Sequence, residues 1–181
     1  PDYSSAASDV YKRQDGPPVS LFTLGTMRAL QAPDQMLMVL RAAHAAGVNH
    51  LETAPAYGPA ESFLGEALTQ LHSEGIQPAG HGWVVTSKLL PGLSLDEGRA
   101  ALRGSLERLG IERLDNLAIH GLNLDSHLNW ALHGEGARLI DWALNSGTVS
   151  QVGFSSHGSN ALIHQAIESQ RFRFCLSLIH I

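Results

Sequence analysis

One cysteine, Cys175, is all the 181-residue sequence contains, which excludes an internal disulfide and any metal site built from several thiolates. No apolar run approaches the ~20 residues of a helical membrane span. Charge is sparse: 16% of residues are charged, and 12 bases against 17 acids leave a formal charge of −5. Nucleic acid is therefore not expected as a partner, because that footprint is a basic face. The ten histidines form no His-Glu-x-x-His and no His-x-His. His120 and His157, without an evident carboxylate partner, are too weak a set to argue for a metal. What is present is the composition of an ordinary globular protein, 44% hydrophobic and able to bury a core. A reducing, cytoplasmic setting and no membrane are the expectation.

The two ends differ from the middle. Residues 1–14 have no apolar periodicity and lack the apolar centre of a signal peptide. Their run Ser-Ala-Ala-Ser-Asp-Val-Tyr-Lys-Arg-Gln resembles translated sequencing-adapter DNA, and 175–181 resemble the same at the other end. Both are read as non-native tails around one domain, 15–174. The alternative is an N-terminal tail and a real final strand.

Within 15–174, short β-rich runs alternate with longer helical patterns, the signature of β-α units around a parallel sheet. Strands are expected at 19–24, 48–52, 83–86, 114–119 and 149–154, with a sixth starting in 171–174. Helices are expected from an Asp34 cap to Gly47, then at 61–71, 135–144 and 160–169. Ser94 and Glu97 form a capping-box pair for another, stopped by Gly110. Five such units fit an open doubly wound sheet or part of an eightfold barrel; a complete barrel takes about 250 residues. Either way, chemistry gathers at the carboxyl ends of the strands.

Those ends carry an acid, a phenol, an amine and an imidazole: Glu52, Tyr57, Lys88 and His120. Tyr57, Lys88 and His120 follow at intervals of 31 and 32 residues, about one β-α unit each, so the four can face one cleft. A phenol with its ordinary pKa near 10 is a weak acid at neutral pH, and a neighbouring ammonium lowers it. A carboxylate keeps the ammonium charged, and an imidazole orients a substrate oxygen. Such a set protonates a carbonyl oxygen while hydride arrives from elsewhere. No side chain donates hydride, so a nicotinamide cofactor is implied.

The segment His50-Leu51-Glu52-Thr53-Ala54-Pro55-Ala56-Tyr57-Gly58 resembles the aldo/keto reductase motif Asp-Thr-Ala-x-x-Tyr-Gly. Val84–Lys88 resembles that family's lysine strand, Ser105–Gly110 with Leu114–His120 its helix and histidine strand, and Gly147–Ser156 the segment ending in its Ser-Asn pair. The resemblance implies a (β/α)8 TIM barrel, here about five units of it, that binds NADP(H) and reduces aldehydes or ketones. Tyr57 becomes the general acid, Lys88 its partner and His120 the substrate orienter. Glu52 stands at the aspartate position, counted with both the catalytic and the cofactor-contacting residues. Gly25, Thr26 and Met27 match a segment near the cofactor, and Ser155 and Ser156 the carboxamide-binding pair.

Two residues depart from the pattern: Glu52 is one methylene longer than Asp, and Ser156 replaces Asn. In the family, later strands hold the cofactor's pyrophosphate and 2′-phosphate, and this chain stops before them. Activity is thus expected of the intact protein, with this piece inactive alone. The alternatives are a non-catalytic NADPH-binding regulatory subunit of the same fold, or an inert truncated product.

Overall fold

The computed structural model describes residues 16–28 and 31–177. The expected tail at 1–14 lies outside the described residues, as do 178–181 of the expected tail at 175–181. The chain divides into two compact units, one up to Val85 and one from Thr86 onward.

The first unit opens with strand β1, Thr23–Gly25, and helix α1, Pro33–Ala45. Strand β2, His50–Glu52, runs parallel to β1 in the register Thr23↔His50 to Gly25↔Glu52. A one-turn 3-10 helix, Pro55–Tyr57, leads into helix α2, Ala60–Ser73. Asp34 does not cap α1. Ala32 takes that place, and Pro33 sits in the first turn, where its fixed φ suits the helix and its missing N–H costs nothing. Asp34 follows it, its charge beside the positive end of the helix dipole. Met36, Leu40 and Ala43, spaced by four and three, are the buried stripe of α1; Leu64 and Leu71 do the same for α2.

The second unit contains most of strand β3, Val84–Leu89, and then helix α3, Leu95–Leu109. Both halves of the Ser94–Glu97 capping box form, and Gly110 ends α3 in the left-handed conformation, φ 66°. Strand β4, Leu114–Ile119, has the expected bounds. Next come α4 (Asp125–His133), α5 (Glu135–Asn145), β5 (Val149–Ser156), α6 (Asn160–Glu168) and β6 (Cys175–Ser177). Strands β3 to β6 are parallel neighbours in chain order. Every residue of β3 is buried, as a strand covered on both faces must be.

Helix α4 has no counterpart among the expected elements. It buries only Leu128 and Ala131 and has no side-chain cap, so its apolar signal is faint. What fixes it is tertiary: the Trp130 indole N–H donates to the Leu93 carbonyl at 2.9 Å, and its ring lies over Gly136, where a Cβ would stand 2.5 Å from ring carbons. The sixth strand begins later than expected, at Cys175, inside the segment read as a tail. Phe154 pairs with Cys175, and Arg173 N–H reaches Val152 O at 2.8 Å.

Candidate active site

In the first unit, the residues expected near the cofactor and the acid–phenol pair come together at the ends of β1 and β2. Gly25 is in register with Glu52, and Thr26 N–H continues the ladder to Glu52 O at 3.0 Å. A Cβ on Gly25 would stand 3.5 Å from Glu52 Oε2, so the carboxylate lies over this glycine. The 3-10 turn carries Tyr57, and Gly58, at φ 62°, redirects the chain beyond it. The Tyr57 hydroxyl donates to Glu52 Oε1 at 3.2 Å. The motif alone leads one to expect a lowered phenol pKa; here burial, which disfavours phenolate, pushes it above its ordinary value. Thr26 is fully buried and its Oγ1 has no hydrogen-bond partner. Met27 lies exposed one residue further on.

In the second unit, Lys88 is only 2% exposed, near the end of β3, and burial pushes its ammonium down to about 8. It therefore stays mostly protonated at neutral pH but close to titrating. His120 follows β4, and its N–H donates to Leu89 O at 2.7 Å. Three causes lower its imidazole below the usual value: burial first, then the Lys88 charge, then His157. His120 is thus neutral near pH 7, with one ring N–H to give and one lone pair to receive.

The expected carboxamide pair divides. Ser155 Oγ accepts the Gly121 N–H at 2.9 Å, leaving its own O–H undirected to that bond. Ser156, 2% exposed, spends its only O–H on Leu122 O at 2.6 Å and accepts from Gly158 N at 3.0 Å. His157 carried no role in the sequence reading, yet it bears electrostatically on His120. Its pairing with His120 was visible in the sequence as a weak metal set; its electrostatic effect on that imidazole was not.

Lys88 makes stability depend on pH. Its folded-state pKa lies below the unfolded lysine value near 10.4, so between about pH 8 and 10 the unfolded chain holds a proton that the folded chain has lost. Stability from this group therefore rises with pH across that window. Burial raises Tyr57 and Cys175, which works in the opposite direction at the upper end. The comparison with Lys88→Met removes those common effects. As pH rises through the window, the urea midpoint of wild type should gain steadily on that of the variant. A constant gap would show that Lys88 titrates normally.

Among the described residues, no group of three or more His, Cys, Asp or Glu stands together as for a metal ion. No helix among them is long and apolar enough to cross a membrane.

Parallel strands that neighbour one another in chain order and alternate with helices make this an incomplete (β/α)8 barrel. The same fold occurs in solved aldo-keto reductases. An enzyme from Bombyx mori in complex with NADP matches with a TM-score of 0.73 at 22% identity, over 91% of this chain and 56% of that one. An aldo/keto reductase from Brucella melitensis matches with a TM-score of 0.67 at 22% identity, over 87% and 57%. The family model "Aldo/keto reductase family" matches residues 22–176. An aldo-keto reductase of Mycolicibacterium vanbaalenii is 30% identical over 125 residues, 69% of this chain and 38% of that protein. A 6-dehydroglucose reductase of Novosphingobium aromaticivorans is 31% identical over 141 residues, 70% of this chain and 43% of that protein. The chain belongs to the aldo/keto reductase family, whose members are NADP(H)-using oxidoreductases, and it spans about two fifths of the length of these curated relatives.

Proposed function

We propose that the protein containing this chain reduces an aldehyde or ketone to the alcohol, using NADPH in the cytoplasm. The observation that carries this is the Tyr57–Glu52 pair: a half-buried, protonated phenol donating to a carboxylate at 3.2 Å, on the family's tyrosine motif. Tyr57 gives its proton to the substrate oxygen, and solvent later replaces it. Lys88, mostly charged at neutral pH, takes by the family's pattern the role of the cation that favours the transient phenolate. Neutral His120 donates its ring N–H to the same oxygen and sets the angle of the carbonyl.

The residues present suit the nicotinamide end of the cofactor. By the family's pattern, Thr26 with Met27 in the first unit and Ser155 in the second are each candidate contacts for it: the Thr26 hydroxyl has no partner among the described residues, and Ser155 keeps an O–H to give. When bound, the nicotinamide supplies hydride to the carbonyl carbon.

The test is NADPH oxidation by the complete gene product and by the 181-residue chain, with a panel of small aldehydes and ketones. The panel includes 6-dehydroglucose, because the Novosphingobium relative is named for it. Substrate-dependent oxidation by the complete product is expected, at a kcat on the order of 1–10³ per second. Tight NADPH binding without turnover of any carbonyl would instead favour the regulatory-subunit reading.

A further inference from the structure

Four hydrogen bonds join the loop after β4 to the end of β5, and a fifth closes the turn that follows β5, all within the second unit. Leu122 N–H donates to Ser155 O at 2.7 Å and Gly121 N–H to Ser155 Oγ at 2.9 Å. His157 N–H donates to Asn123 Oδ1 at 2.7 Å. The remaining two pass through Ser156, which gives its O–H to Leu122 O at 2.6 Å and receives Gly158 N–H at 3.0 Å. Gly121 makes the approach possible by adopting φ 72°, and Gly158 by lacking a Cβ, which would stand 3.2 Å from Asn123 O. The loop held in this way begins immediately after His120.

We propose that Ser156 is a positioning residue for His120: its buried hydroxyl, bridging the Leu122 carbonyl and the Gly158 amide, seats the loop that fixes the imidazole beside Lys88 and His157. The family's usual Asn at this position is assigned to the nicotinamide carboxamide; Ser156 has no O–H left to give one. A hydroxyl is short enough to serve this buried bridge, whereas an amide adds a planar group and a second donor that need space and partners. The Asn-to-Ser change therefore moves the position from holding the cofactor to holding the loop. Removing the hydroxyl orphans a buried carbonyl and a half-buried amide together, so the loop has reason to open rather than relax in place. The inference rests on His120 as the substrate-orienting group.

The experiment is a titration of the His120 imidazole by NMR in the 181-residue chain, with amide hydrogen exchange at Gly158 and Leu122. In Ser156→Ala, exchange at both amides should accelerate about tenfold or more. The His120 midpoint should rise toward the ordinary imidazole value as the ring gains solvent and moves from Lys88 and His157. Ser156→Cys, nearly isosteric with a weak S–H donor, should fall between. An unmoved His120 midpoint in Ser156→Ala overturns the proposal, the more so with weakened NADPH binding, which would return Ser156 to the cofactor. Should the alanine variant not fold, Ser156→Cys decides, and an unmoved midpoint there overturns it equally. Full carbonyl reduction by His120→Ala would defeat the proposed role of His120 while leaving a midpoint shift intact, so the two failures are distinguishable.

Discussion

Replacing Tyr57 by Phe should lower kcat for carbonyl reduction by about 10²–10⁴-fold, the range attributed to a positioned general acid, while NADPH still binds. The substitution removes one oxygen from a half-buried ring and keeps the ring's packing on the 3-10 turn. The Glu52 carboxylate loses a donor at 3.2 Å. The cofactor contacts proposed above do not include the phenol. The raised phenol pKa strengthens the expectation, because nearly every Tyr57 carries its proton at neutral pH. Activity should accordingly stay flat from about pH 6 to 8 on account of this group. A fall in kcat below threefold would remove Tyr57 from the chemistry. A protein that binds NADPH identically with and without the hydroxyl and reduces nothing in either form would be the regulatory subunit.

The parts of this molecule that were legible in the sequence are those fixed by near neighbours. The Ser94–Glu97 box and the Gly110 stop are local geometry, and both form. Strand β4 matches because Leu114–Ile119 is a mostly apolar run bounded by polar residues and a positive-φ glycine beyond His120. Asp34 misled because Pro33 competes for the start of α1 and leaves Ala32 as the cap. Helix α4 was hidden because its anchor, the Trp130–Leu93 bond, spans 37 residues. The site divides along the same line. The spacing of Glu52, Tyr57, Lys88 and His120 is written in the order of the β-α units. What each does next depends on tertiary detail: Glu52 accepts the Tyr57 hydroxyl, and Ser156 bridges Leu122 and Gly158. No periodicity encodes either.

Gly153→Ala should be among the most destabilising single-methyl additions in the chain, although strand propensity alone argues for the opposite sign. Gly153 is not in the left-handed region, so alanine fits its backbone, and replacing a strand glycine ordinarily stabilises by about 0.5–1 kcal/mol. Sterics decide against it. A Cβ there would stand 2.4 Å from the Phe174 carbonyl oxygen and 2.5 Å from its ring. That carbonyl already receives the Phe154 N–H at 3.2 Å, so it cannot retreat without breaking the step from β5 to β6. On the other side, Gly153 faces Ala118 in the β4 ladder, and β4 is buried there. With neither side able to give, the cost belongs at the upper end of overpacking, about 3 kcal/mol. With a urea m-value of ~1–3 kcal/mol/M, the midpoint should fall by about 1–3 M. Gly104→Ala is the control with the opposite expectation. It lies within α3, its Cβ would meet only the flexible Arg108 guanidinium at 3.0 Å, and it should gain up to about 1 kcal/mol of helix propensity. Equal midpoints for the two variants would mean that Phe174 does not lie against β5. Since β5 also carries Ser155 and Ser156, a strand displaced at Gly153 should loosen the Gly121 and Leu122 bonds as well, and His120 should report it.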